Sequence, residues 1–197
     1  METGLSQAGA LLSQLAMGIG LAACAGLRAF LPLFVVGVAG RLDVIPLTQR
    51  FEWLASTPAL LVFGVAVITE LLADKFPVVD HFLDAVEIWV KPIAGTVLAA
   101  SVLSELTPLQ ATVLGVFAGG TAAGTVHVAK AKLRLASTAT TLGAGNPVLS
   151  FLEDVVAFVG SLTAIVVPLL ILLLLLIALT LAVWWLLRRA GPTAHRA

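Results

Sequence analysis

Charge is what this sequence has least of. Only 11% of its 197 residues are Asp, Glu, Lys or Arg, against 60% that are hydrophobic. A soluble domain averages about a quarter charged and about half apolar, and so large an apolar excess has no single globule to hide in. The scarcity excludes a cytosolic enzyme, a disordered tail and a nucleic-acid binder, the last of which needs a clustered basic face. Formal net charge is zero, from 11 basic and 11 acidic residues, so no long-range field steers a charged partner. With mean hydropathy at +1.10, the expected solvent is lipid.

Cysteine is nearly missing too. Cys24 stands alone, which excludes an intrachain disulfide. Leu21-Ala22-Ala23-Cys24 matches the pattern of a lipoprotein processing site, but no Lys or Arg precedes Arg28 to supply a basic leader region. Apolar sequence follows instead, and Cys24 reads as a packing residue of a first membrane helix. Histidines occur at 81, 127 and 195 without zinc-ligand spacing. No nucleophile with a base at catalytic spacing is signalled, so the expectation is a non-enzyme without cofactor. Gly18, Gly20 and Ala23 mimic a dinucleotide fingerprint, yet no strand precedes them, and helix packing explains them better.

What is there is long apolar sequence. A membrane helix needs about 20 such residues, and candidates run over 11–40, 56–74, 77–91, 92–106, 109–134, 147–164 and 166–188. Gly26 and Pro32 interrupt the first, which is expected to kink or to split into two half-helices. The stretch Val155–Leu187 carries no charge and is too long for one crossing, with Pro168 as its break. Residues 1–10 and 190–197 read as tails of a single transmembrane domain. Leaving Arg28 aside, seven crossings put Arg41, Arg50, Lys91, Lys130, Lys132, Arg134, Arg188, Arg189 and Arg196 on one side and only Lys75 on the other. Six crossings, with 77–91 left out, keep most of that bias. The expected topology is an inner (cytoplasmic) membrane protein with its N-terminus outside and its C-terminus cytoplasmic.

Pro77–Val86 aligns without gaps on Pro147–Val156, with Pro at each start and Asp seven residues on, at Asp84 and Asp154. Proline suits a helix start because its missing N–H has no helical partner there. The next prolines, Pro92 and Pro168, each open another apolar run. The resulting expectation is an all-α integral membrane protein of about seven transmembrane helices, an inverted repeat of three-helix units plus one extra helix, as in many transporters.

The few charges fall inside these segments. Asp80, Asp84, Glu87 and Lys91 share one helix face. Each charge facing lipid costs at least about 3 kcal/mol at the midplane, so the stripe must face protein, a wet cavity or the headgroup boundary. His81 lies beside it. Glu70 and Asp74 sit one turn apart near the end of the second span, Arg28 lies in the break of the first, and His127, Lys130 and Arg134 share a face of the fifth. Glu153 and Asp154 lie near the start of the sixth, where a helix N-terminus favours negative charge. One reading lines a path for protons, cations or a small polar solute with Arg28, Glu70, Asp74, Asp80, His81, Asp84, His127, Lys130, Glu153 and Asp154. The other makes them interhelical ion pairs of a non-transporting scaffold or assembly partner. Lys75, Lys130, Lys132 and Arg134 are assigned to snorkelling, and Arg28 either binds an anion or pairs with Glu70 or Asp84. Trp53, Trp184 and Trp185 sit where interface anchors belong. The polar stretch 136–146 reads as a connecting loop. A glycine-rich face at 115–124 and the leucine-rich last helix leave surface for a homo-oligomer.

Gly26-Leu-Arg-Ala-Phe-Leu-Pro32, Glu70-Leu-Leu-Ala-Asp74-Lys75-Phe-Pro77-Val-Val-Asp80-His81-Phe-Leu-Asp84, Lys91-Pro92-Ile-Ala-Gly95 and Leu152-Glu153-Asp154-Val-Val-Ala157 resemble the bacterial membrane family catalogued as domain-of-unknown-function family 4126. The resemblance runs over about residues 15–165, and Ala-Asp-Lys-x-Pro-x-Val-Asp is its most specific part. That family more often reads Gly-Leu-Asn-Ala where this chain has Arg28. It has no established activity, so the resemblance implies no catalytic or binding residues. By length and inferred span number the chain is also similar to the trimeric intracellular cation channels, an analogy of architecture alone.

Overall fold

The computed structural model describes the backbone of residues 2–73 and 77–189, and the side chains within that range except at 2–5, 73, 77–85, 185–187 and 189. Among the described residues the chain is helical, without strands. Its helices are α1 (Glu2–Leu27), α2 (Phe30–Arg41), α3 (Thr57–Ala73), α4 (Pro77–Val102), α5 (Pro108–Leu114), α6 (Thr121–Thr141), α7 (Asn146–Val166) and α8 (Pro168–Arg189). A 3-10 segment, Gln49–Ala55, precedes α3, and a π-helical turn, Gly115–Gly120, joins α5 to α6 without a gap.

The interior is built around α1, which touches α2, α4, α6, α7 and α8. Its residues Ala16, Leu21, Ala22 and Ala25 are fully buried, and Leu21 and Ala25 join Leu98, Val102, Ala164 and Ile171 of the surrounding helices in one core cluster. Small residues set the spacing. A Cβ placed on Gly119 of the π turn would lie 2.4 Å from the carbonyl oxygen of Gly95 in α4, and one on Gly26 would lie 2.4 Å from that of Ala123 in α6. Only glycine permits backbones this close, the device by which membrane helices gain contact where lipid supplies no hydrophobic drive. Cys24 is buried in the same way, its sulfur facing Gly160 of α7.

The first long apolar run is split, and the split falls at Arg28 and Ala29, between the two expected breakers. Pro32 accounts for it. A proline ring clashes with the carbonyl four residues back and offers no N–H to it, and that carbonyl belongs to Arg28. Pro32 itself is tolerated in the first turn of α2.

Three helical stretches, Ser6–Leu27, Pro108–Thr141 and Asn146–Val166, are long and apolar enough to cross a bilayer, and Gln49–Ala55 with Thr57–Leu72, bent by 61°, makes a fourth if taken as one span. Phe30–Arg41 and Pro168–Trp184 are shorter apolar helices. Among the described residues, length and composition therefore correct the expected seven spans to three or four. One cause is Pro92. Rather than opening a new helix it lies inside α4, so the expected segments 77–91 and 92–106 are one helix; neighbouring helices supply enough packing for a membrane helix to keep an internal proline. Pro168, by contrast, does start a helix. The structure does not show the inverted repeat, and with seven crossings gone the architectural likeness to seven-helix channels goes as well. The 136–146 loop is also corrected: α6 runs to Thr141, and a tight turn with Leu142 (φ 53°) and Gly143 (φ 89°) leads into α7. Residues 2–10 belong to α1.

The surface reverses the arrangement of a soluble protein. Val62, Val65 and Ile68 of α3, Ile88 and Trp89 of α4, Phe117 of the π turn, Phe151 and Phe158 of α7 and most leucines of α8 are exposed, with Trp89 at 74% and Phe117 at 70%. Monomeric soluble proteins rarely present contiguous apolar area on this scale. Such a shell is compatible with insertion in a membrane.

Candidate functional site

The break in the first run leaves two helix ends in the interior, and an α-helix end carries unpaired backbone groups and a partial charge. Both are met by side chains of opposite sign. At the start of α2, Ala29 N–H donates to Glu70 Oε1 at 2.8 Å and Phe30 N–H to Glu70 Oε2 at 3.3 Å. At the end of α1, Lys130 Nζ donates to the Leu27 carbonyl at 3.2 Å. Glu70 comes from the last turns of α3 and Lys130 from α6, and both are buried. The ends α1 and α2 present to one another are thus neutralised by two other helices.

Arg28 occupies the break and is 1% exposed. Its Nε lies 2.5 Å from Asp154 Oδ1, Nη2 donates to Ser150 Oγ at 2.8 Å, and Nη1 reaches the Glu70 carbonyl at 3.4 Å. Ser150 and Asp154 are one turn apart on α7, so one face of that helix meets the Nε and Nη2 of the guanidinium. Of the partners expected for Arg28, Glu70 contributes its backbone oxygen and the Asp84 side chain lies outside the described residues; Asp154, not among those expected, brings a carboxylate to it.

A second chain of charges runs alongside. Lys91, 0% exposed, is paired with Glu87 one turn earlier in α4 and lies 3.3 Å from Nδ1 of His127. Lys130 is 3.9 Å from Glu87 Oε2 and 3.2 Å from Glu153 Oε2, and Arg134 reaches the same Glu153 oxygen at 3.5 Å. Lys130 therefore joins α4 to α7 while also closing the end of α1. Its assignment to snorkelling, with that of Arg134, is corrected. Both sit one helical turn apart on the face of α6 turned to α7, where a buried carboxylate holds them; Lys132, between them, is exposed.

Six of the expected residues, Arg28, Glu70, His127, Lys130, Glu153 and Asp154, are brought together here. Asp74, Asp80, His81 and Asp84 lie outside the residues whose side chains are described. Glu87 and Lys91 belong to the charged stripe of the sequence but not to its candidate pathway, and Arg134 there reads as a snorkelling cation. Ser150 was missed; its only signal in the sequence is its place one turn before Asp154. Among the described residues no group of His, Cys, Asp and Glu is arranged to hold a metal ion.

A cavity of about 300 Å³ opens between α3 and α4. Phe30, Val62, Val65, Val86 and Val90 form its apolar walls, and Glu70 and Glu87 line its inner side. It is therefore lined by one residue of each charge group, Glu70, which caps α2, and Glu87, which holds Lys91.

The family described as a domain of unknown function (DUF4126) matches residues 15–189. The chain belongs to it. No curated protein and no solved structure matches the chain. The family match reaches beyond the quoted motifs to include α8, whose sequence is rich in leucine, so the last helix is part of the family's unit.

Proposed function

We propose that this chain is a small, non-enzymatic membrane transporter or channel that passes a cation, a proton or a small polar solute along a path lined by buried carboxylates. The observation that carries the reading is the interrupted first helix, with Glu70 on the amides of one half and Lys130 on the carbonyl of the other. Broken helices of this kind supply ion and substrate sites in secondary transporters, because freed backbone groups and dipole ends are available to a ligand. The cavity at Glu70 and Glu87 gives that site access from the α3–α4 side. A cation or proton arriving at Glu70 would weaken its hold on Ala29 and Phe30 and so act on the junction between α1 and α2. Within this reading the protein resides in the bacterial cytoplasmic membrane. Arg188, Arg189 and Arg196 at the end of the chain, against no basic residue before Arg28, favour a cytoplasmic C-terminus and an external N-terminus, which reporter fusions at the two ends would test.

A second reading rests on the pairing itself. Among the described residues, Arg28, Lys91, Lys130 and Arg134 face Glu70, Glu87, Glu153 and Asp154, a match that suits a scaffold whose charges only fix packing. The two separate in a thermal-shift screen of purified protein against mono- and divalent cations at two pH values, with Glu70→Gln beside wild type. A ligand at a hundred times its Kd adds about 2.7 kcal/mol. Transport predicts a cation- or pH-dependent shift that Glu70→Gln abolishes, followed by ion flux in proteoliposomes. A flat screen, in which Glu70→Gln merely melts earlier, gives the scaffold.

A further inference from the structure

We propose that the cavity between α3 and α4 is a binding site for a lipophilic organic cation of the alkylammonium type, which enters it from the bilayer. The inference rests on the transport reading and names the substrate class of its site. Val62, Val65 and Val86, at 64%, 65% and 39% exposure, form the rim and belong to the lipid-facing shell, so the mouth opens on hydrocarbon. A hydrated inorganic ion entering there would have to shed its water against valine side chains, at a cost nothing at the rim offsets. An anion would meet two carboxylates, and a neutral chain would leave both without a new partner.

The inner wall is complementary to an ammonium group. Glu70 and Glu87 are 5% and 7% exposed, and both line the cavity. Glu87 already holds an alkylammonium, the Nζ of Lys91. Glu70 accepts only the backbone N–H groups of Ala29 and Phe30, and among the described residues no cationic side chain lies within ion-pair distance of its carboxylate. Each of its oxygens retains acceptor capacity. An ammonium beside Glu70 with its alkyl chain between Val62, Val65 and Val90 repeats the arrangement Lys91 makes with Glu87. A volume of about 300 Å³ is at the lower end of small-molecule sites, which favours a short chain over a whole lipid.

The test is binding of radiolabelled hexylammonium to the full chain in phosphatidylcholine nanodiscs, with the signal of empty nanodiscs subtracted. Saturable binding is expected, undisturbed by an excess of 1-hexanol, the neutral chain of equal length. Affinity is expected to fall at least tenfold in Glu70→Gln. It should fall as much in Val65→Trp, which fills the mouth from a lipid-exposed position and leaves the charged interior alone, so the proposal stays testable if Glu70→Gln does not fold. Leu173→Phe on α8 serves as the distant control and leaves binding unchanged. Non-saturable uptake, equal competition by 1-hexanol, or indifference to Val65→Trp overturns the site. Glu70-dependent stabilisation by inorganic cations without hexylammonium binding overturns it as well, but leaves the transport reading standing. Hexylammonium binding as described, with no flux of it across proteoliposomes, upholds the site and removes transport.

Discussion

The centre of this molecule and its rim follow opposite rules. Around the α1–α2 break, Lys91 and Arg28 are more deeply buried than almost any leucine, whereas on α8 the leucines at 169, 170, 173, 174, 176 and 179 are half exposed. In water the second arrangement would aggregate and the first would be a costly oddity. In lipid both are the low-energy choice, because a charge has no solvent except other protein groups and an apolar side chain loses nothing at the surface. In a bilayer, stability would therefore reside in close backbone contacts and polar pairing at the centre, with the shell contributing mainly compatibility with lipid.

The strongest way to break the contrast is to unpair the centre. Lys91→Ala leaves Glu87 buried without its closest cation and is expected to destabilise by about 3–5 kcal/mol, the cost of leaving a buried charge uncompensated. Converting both residues to leucine should restore much of that loss, since a buried pair is often no better than well-packed apolar residues. Reversible unfolding in mixed detergent measures both. A double variant as unstable as Lys91→Ala alone would mean that the contacts of Lys91 with His127, or of Glu87 with Lys130, matter more than the pair.

Next in size is the backbone contact that lets the centre close. In Gly119→Ala the new methyl meets the Gly95 carbonyl at 2.4 Å and the Ala99 side chain at 2.6 Å, so α4 and the π turn must move apart. Overpacking of this kind costs about 1–3 kcal/mol. Gly9, whose Cβ would meet nothing within 4 Å, is the matched control. Equal effects of the two substitutions would show that helix propensity, not the crossing, is being measured.

How far the sequence reveals this centre depends on whether a feature is local. Scarcity of charge announces the exposed apolar shell, and the proline at position 32 marks the helix break because its clash reaches only four residues back. Pro92 misleads for the complementary reason: whether an internal proline breaks or is absorbed is decided by the helices packed around it, which no local pattern records. Pairing is harder still. Arg28 meets Asp154 across more than half the chain, and Lys130 turns from a lipid-facing cation into a buried one through the placement of Glu153 on a different helix. The carboxylates were visible as a set, but their partners, and Ser150 among them, became definite only when α7 lay against the break.

A smaller effect is expected where the two regions are joined by a cap. Glu70→Ala removes the acceptor of the Ala29 and Phe30 amides, and loss of a helix N-cap costs about 0.5–2 kcal/mol. Hydrogen exchange should locate the loss in the first turn of α2, with α6 and α7 little changed. Glu70→Gln keeps one acceptor oxygen and should retain part of the protection. Uniform loss of protection in both variants would make Glu70 a part of the global core rather than the cap of one helix.

The smallest effect belongs to the rim and is the most sensitive gauge of what covers it. Leu173 is 53% exposed on α8. In a bilayer its truncation to alanine exchanges contact with hydrocarbon for contact with hydrocarbon, so neither a transfer term nor a closed cavity arises. The expected change is within about 0.5 kcal/mol, the range of ordinary surface substitutions. Buried Leu98 gives the contrast, because its truncation leaves a void among α1 and its neighbours and costs about 2 kcal/mol or more. A loss at Leu173 approaching that at Leu98 would mean that this face of α8 is filled by protein rather than lipid. Unfolding measured at several protein-to-detergent ratios then decides whether the cover is a second copy, since only an association between copies makes the stability of wild type, and not of Leu173→Ala, depend on concentration.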